Sequence, residues 1–251
     1  MCTLTYLLNQ NGYELFFNRD EQRTRLLAIP PQPHQIDNAI YPIDPQGGGT
    51  WIAVTKQGMS LALLNNYQAV VNINKDKDNI MSRGQLIFSL LQNQESVIKQ
   101  LKVMDLEVFQ PFQLCVFPDT LSKDNPTIHC VKWDGSELVD VSVDVKADLP
   151  ITSSSIDFID VSKKRKSRFI GTVDINNPHS NQHRDFHFST EKNGQYSVNM
   201  QREDARTVSI SHISVNSDLS KKNEICFEYF DNVVQKSHTV ACLKEQRPAL
   251  A

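Results

Sequence analysis

The sequence predicts an α+β fold in which helices pack on antiparallel sheets. Three observations carry this: two β-hairpin patterns in the first 66 residues, a helical periodicity in the middle, and further strand-like runs after it. No internal repeat and no Gly-, Pro- or Ser-rich linker divides the 251 residues, so residues 1–251 read as one domain.

The first hairpin pairs Cys2–Leu8 with Tyr13–Phe17 around Asn11-Gly12, a dipeptide that favours a tight primed turn. Hairpin geometry places Cys2 beside Asn18, Arg19 and Asp20. Residues Arg25 to Gly49 hold five prolines and end in three glycines, and read as a long irregular loop. Trp51–Thr55 and Ser60–Leu64 form a second hairpin around Gln57-Gly58, ended by Asn65 and Asn66. Ser82 reads as an N-cap. Leu86, Ile87, Leu90, Leu91, Val97, Ile98 and Leu101 then recur at helical spacing, interrupted by a polar patch over Gln92–Ser96. Phe112–Phe117, Thr127–Trp133 and Leu138–Val145 read as strands, the last two joined at Asp134-Gly135. Phe158–Ile170 reads as a short basic helix, and Tyr196–Met200, Thr207–Val215 and Ile225–Phe230 as later strands.

Composition narrows the function. With 29 acidic and 26 basic residues the net charge is -3, which leaves no overall electrostatic footprint for nucleic acid. The five cysteines, at 2, 115, 130, 226 and 242, are widely spaced and form no CxxC, so neither a disulfide framework nor a Cys-rich zinc site is expected. The pattern suits a reducing compartment. The N-terminus has no basic-then-apolar signal pattern, and no apolar run approaches the ~18 residues of a membrane helix. A cytoplasmic protein without an integral membrane segment is expected.

Cys2 carries the chemistry. An initiator Met before a small residue is usually removed, which would leave Cys2 as the N-terminal residue. Its α-amine, with an ordinary pKa of about 7.7–8.0, would then serve as base for its own thiol. Arg19 supplies a cation that favours the thiolate, and Asp20 an anion for the α-ammonium or a substrate group. The competing reading is an inert packed cysteine beside a solvated Arg-Asp-Glu turn.

Four motifs occur in order: Met1-Cys2 with Asn18-Arg19-Asp20-Glu21, then Gly48-Gly49-Thr50-Trp51, Leu63-Leu64-Asn65-Asn66-Tyr67 and Ser82-Arg83-Gly84. Together they resemble the NRDE family, also called the Transport and Golgi organisation protein 2 family, over residues 1–91. That family in turn resembles N-terminal nucleophile (Ntn) hydrolases of the penicillin V acylase and bile salt hydrolase type. The resemblance implies a four-layer αββα sandwich and hydrolysis of a small non-peptide amide. It implies Cys2 as nucleophile, Arg19 flanking the thiol, Asp20 near the amino group and Asn66 as oxyanion donor. The sequence departs from the pattern twice. Ile151-Thr152-Ser153 puts Ser153 where a second Asn is usual, and the late Arg is answered by both Arg202 and Arg206, with Arg202 preferred.

The alternative implied by the family is a non-enzymatic haem or lipid carrier on the same fold. It would take a hydrophobic ligand in place of an amide substrate. His179, His183 and His187 are spaced by four and would line one face of a helix, as a metal or haem site needs. Asn176-Asn177-Pro178 and the surrounding polar residues instead read as a loop, so no metal ligands and no cofactor are expected. Lys163-Lys164-Arg165-Lys166 reads as the solvated face of a helix. Phe16, Phe17, Trp51 and Tyr67 lie near the proposed site, where core packing competes with a pocket lining. Cys115 and Cys130 read as structural; Cys226 and Cys242 suggest no chemistry.

Overall fold

A computed structural model describes residues 1–69, 80–92, 96–141, 148–192, 194–218 and 224–245. Two antiparallel sheets face each other. The first is built from β1 (Cys2–Asn9), β2 (Gly12–Gln22), β10 (Ile151–Ser153), β11 (Ala205–Asn216), β12 (Glu224–Asp231) and β13 (Lys236–Leu243), in the order β10-β1-β2-β11-β12-β13. The second runs in sequence order through β3 (Ile29–His34), β4 (Ala39–Ile43), β5 (Ile52–Thr55), β6 (Ser60–Asn65), β7 (Phe112–Phe117), β8 (His129–Trp133) and β9 (Leu138–Val141).

Alternation along β1 and β2 sends their side chains to two faces. Leu4, Tyr6, Leu15 and Phe17 meet Ile52, Val54, Ala62, Leu64 and Phe117 of the opposite sheet to form the central core. The other face of β1 and β2 lies under α3 (Phe158–Thr172) and α4 (Ser180–Phe188). On the outside of the second sheet, α1 (Gly84–Leu91) and α2 (Val97–Val103) bury Leu86, Ile87, Leu90, Val97 and Leu101 against Leu61, Leu63 and Leu114. The layers are therefore αββα, as expected. No helix among the described residues is long and apolar enough to cross a membrane.

The first hairpin forms as its sequence dictates, and Gly12 is required by more than the turn. A Cβ there would lie 1.9 Å from the Val215 carbonyl oxygen of β11, which pairs along the other edge of β2.

Several elements differ from expectation. Residues 25–49 are not irregular throughout but contain β3 and β4. Pro30, Pro31 and Pro33 mask β3 as a strand; it is an edge strand, where missing N–H groups cost no central ladder bonds. The other sheet also ends in an unanticipated edge strand, β13, exposed along one face at Ser237, Thr239, Ala241 and Leu243. Tyr196–Met200 is not a strand; a 3₁₀ turn at Gly194–Tyr196 leads into irregular chain. Arg83, not Ser82, is the N-cap of α1. Residues 93–95 of the polar patch and 142–145 of the expected third strand lie outside the described residues. The segment after Pro178 is helical as α4, not a loop.

Candidate active site

The site forms where β1 ends against two neighbours. Cys2 is the cross-strand partner of Arg19 on β2 and of Ser153 on β10. Met1 adds one further rung: Asp20 N–H donates to its carbonyl at 3.0 Å, and its ammonium donates to the Asp20 carbonyl at 3.3 Å. Burial pushes the Cys2 thiol up to about 11, against the lowering effect of the N-terminal ammonium; the Asp20 and Glu21 charges raise it further. With Met1 attached, Cys2 is a protonated, buried thiol at neutral pH.

Arg19 is beside Cys2 in the ladder, but its guanidinium is committed elsewhere. It donates to Asp44 Oδ2 at 2.9 Å and Glu21 Oε1 at 3.2 Å and lies 4.1 Å from the Trp51 ring centroid. Asp44 also holds Arg25. This knot ties three of the sequence motifs together. Thr50 N–H donates to the Gly84 carbonyl at 3.1 Å, and a Cβ on Gly49 would lie 2.3 Å from the Gly84 carbonyl carbon. The glycines of the second and fourth motifs thus permit backbone-to-backbone packing.

Asp20 sits differently from the expectation. Its main chain meets the terminal amine, while its carboxylate turns to the helix layer. There Arg165 Nη2 lies 3.2 Å from Oδ2, and the Thr207 hydroxyl donates to Oδ1 at 2.6 Å. Arg165 also donates to the Thr3 hydroxyl, one residue past Cys2. Arg165 was hidden in the basic run, yet it is wholly buried. Its signal was the apolar spacing: Val161, Arg165 and Phe169 repeat every four residues and form the inward face of α3.

Asn66 stands at the end of β6, and its amide donates to the Trp133 carbonyl at 3.3 Å. Ser153 is nearer: it faces Cys2 in register, and its buried hydroxyl has no hydrogen-bond partner among the described residues. Tyr67 belongs to the same electrostatic neighbourhood. Burial raises its phenol, the Cys2 and Glu21 charges add to this, and Asn65 and Arg83 oppose it. Of the two late arginines, Arg202 adjoins the terminus, with Nη1 3.8 Å from the Met1 sulfur. Arg206 lies on β11 opposite Glu21.

The histidines form a buried relay instead of a ligand set. Asn18 spends both amide hydrogens on the carbonyls of His187 (2.8 Å) and Val198 (2.9 Å), so its Oδ1 accepts from His187 Nδ1 at 2.6 Å. His187 Nε2 then accepts from the Thr5 hydroxyl at 2.8 Å, whose oxygen accepts from His183 Nδ1 at 2.8 Å. Burial holds both imidazoles neutral, pushing His183 down to about 4 and His187 well below its ordinary value. His179 caps α4. Among the described residues no group of three or more His, Cys, Asp or Glu is placed to hold a metal. Phe16 stacks on His183, His187 and His212, while Phe17 fills the central core. Cys115 and Cys130 are buried cross-strand partners.

The four motifs thus meet around one strand end. A family model described as Transport and Golgi organisation 2 matches residues 1–145. The chain belongs to this family. No curated protein matches the sequence. Among solved structures, a Caenorhabditis elegans N-acylethanolamine-hydrolyzing acid amidase ortholog superposes with a TM-score of 0.53 at 11% identity, covering 88% of this chain and 94% of that one. The likeness establishes an Ntn-hydrolase-like fold for this member of the family.

Proposed function

We propose that the chain is a Cys-dependent N-terminal nucleophile amidohydrolase acting on a small non-peptide amide in the cytoplasm. The observation that carries this is the placement of Cys2: directly after Met1, at a strand end, opposite Ser153 and Arg19. Once Met1 is removed, nucleophile and base belong to one residue.

The α-amine of Cys2 takes the thiol proton, and the sulfur attacks the amide carbonyl. The Ser153 hydroxyl, without a partner among the described residues, donates to the developing oxyanion, joined by the second N–H of Asn66, whose first is held by the Trp133 carbonyl. As the C–N bond breaks, the α-ammonium returns its proton to the leaving nitrogen, and a thioester remains on Cys2. The same amine then activates water, which releases the carboxylic acid and restores the thiol. Arg19 and Asp20 shape the strand end: Arg19 through Asp44 and Trp51, Asp20 through Arg165 and its main chain. The amidase activity named for the Caenorhabditis elegans neighbour supports an amide bond as the target, on a likeness of fold. The carrier reading gains no such support, because His183 and His187 are spent on Thr5 and Asn18.

The test is intact mass and peptide mapping after brief iodoacetamide treatment at pH 7, followed by an amide panel. The expected result is loss of Met1, labelling of Cys2 ahead of Cys115, Cys130, Cys226 and Cys242, and no turnover by Cys2→Ala. Full turnover by Cys2→Ala, or a processed Cys2 that labels no faster than the others, overturns the reading.

A further inference from the structure

Met1 is not a loose end. It is 7% exposed and packs against Met200 and Ala205 in a small apolar cluster of their own. The Ser154 hydroxyl oxygen lies 2.7 Å from its thioether sulfur but gives its one hydrogen to the Ile156 carbonyl, and Arg202 Nη1 approaches the same sulfur at 3.8 Å. Arg202 is otherwise engaged with Asp204, through Nε at 2.9 Å and Nη2 at 2.7 Å. Its charge is therefore matched, and one N–H edge faces the niche. The niche thus holds an unbranched chain between apolar walls, with the Arg202 N–H edge directed at an uncharged acceptor.

Its position relative to the chemistry follows from connectivity. Met1 is bonded to the Cys2 nitrogen, so the niche begins at that nitrogen. In the reaction above, the same nitrogen carries the proton that the departing amine must receive. The leaving nitrogen therefore has to stand within hydrogen-bond reach of it, where the Met1 main chain stands now. The substituent on that nitrogen then extends where the Met1 side chain lies.

We propose that, after Met1 is removed, its niche seats the leaving-amine half of the substrate. It selects a short, unbranched amine substituent with an uncharged hydrogen-bond acceptor two or three carbons from nitrogen. This rests on the amidohydrolase reading. In the same geometry a retained Met1 plugs the site.

The experiment uses processed protein and follows Cys2 alkylation by iodoacetamide at pH 7 in the presence of two neutral amides. These are N-(2-methylthioethyl)acetamide, which fits the niche, and N-neopentylacetamide, whose branch collides with its walls. The straight amide is expected to protect Cys2 at least fivefold better than the branched one at equal concentration. Ala205→Leu and, separately, Met200→Trp narrow the niche and should bring the ratio of the two protections towards one, with folding of each variant checked by circular dichroism. Equal protection by the two amides in the unmutated protein, or no protection by either, overturns the niche. So does a preference that survives in a folded narrowed variant. Failure of the underlying reading looks different: Cys2 of the processed protein is then no more reactive than the other cysteines with no amide present.

Discussion

Arg165 and Asp20 form an ion pair from which water is excluded on both sides: Nη2 lies 3.2 Å from Oδ2, and neither side chain has exposed surface. The pair joins α3 to the strand end that carries Cys2, since Arg165 also holds Thr3 and Asp20 also holds the chain terminus. Removing one member leaves the other charged in a medium that solvates it poorly. Arg165→Met is therefore expected to cost about 3–5 kcal/mol of stability. Adding Asp20→Asn to that variant should recover a substantial part. Urea unfolding of the two variants beside the unmutated protein measures this; an Arg165→Met midpoint equal to that of the unmutated protein would contradict it.

The Thr5–His183–His187–Asn18 relay makes stability depend on pH in a defined direction. Both imidazoles titrate lower in the folded chain than in the unfolded one, where the ordinary value is near 6.5. Below about 6.5 the unfolded chain binds protons that the folded chain refuses. Full stability is thus present above about 6.5 and is lost as pH falls, for His183 until about 4. Each histidine contributes a loss of about 1.4 kcal/mol per pH unit within that window. Glu14 adds a separate loss at lower pH. Burial opposes its ionisation, but His212, Ser180 and Asn9 hold its folded value down at about 2, so its contribution fades as pH falls from about 4.5. Denaturation midpoints at pH 7, 6 and 5 should fall steadily, and Thr5→Val should destabilise at pH 7 by cutting the relay at its centre. Constant midpoints from pH 7 to 5 would refute the neutral relay.

The contact between Gly49 and Gly84 is backbone against backbone. A Cβ on Gly49 meets the Gly84 carbonyl carbon at 2.3 Å and the Gln85 nitrogen at 2.6 Å, neither of which swings away. Gly49→Ala is expected to lower stability by about 1–3 kcal/mol, the usual cost of forcing extra volume into packed structure. Gly171→Ala, in the last turn of α3 where nothing lies within 4 Å of the added carbon, provides the comparison and should leave stability unchanged or raise it. Thermal melting of both variants decides, and equal shifts would mean that the two loops part freely.

The first hairpin was legible because a short-range rule sets it: Asn11-Gly12 fixes the turn, and the turn fixes that Cys2 faces Arg19. The strands β7 and β12 were legible from their apolar content. What escaped reading depended on neighbours distant in sequence. Proline argues against a strand unless the strand is an edge, and β3 is an edge only because of the sheet order. The histidine segment looked like a loop because its polar residues have no sequence-level partner. Thr5 and Asn18, nearly 180 and 170 residues away, supply one. Arg165 looked solvated for the same reason: its anion, Asp20, lies 145 residues earlier. The turn of Asp20's carboxylate away from the terminus follows from that pair and was not readable beforehand.

Ser153 gives the sharpest test of how this chain departs from the usual Asn. Its hydroxyl is buried, without a partner among the described residues, and on the residue that pairs with Cys2. A donor left unpaired at that position costs stability in the resting state, and a developing oxyanion would supply its missing acceptor. The amide of Asn66 gives one of its two hydrogens to the Trp133 carbonyl, so only the second is open to an oxyanion. Ser153→Ala is therefore expected to lower kcat on an amide substrate by about 10²-fold with KM little changed, the signature of a donor used mainly in the transition state. Asn66→Ala should have a smaller effect on kcat, because its amide is tied to the Trp133 carbonyl and has only its second hydrogen to offer. A larger loss for Asn66→Ala than for Ser153→Ala would move the oxyanion site to the second sheet and leave the Ser153 hydroxyl a packing group.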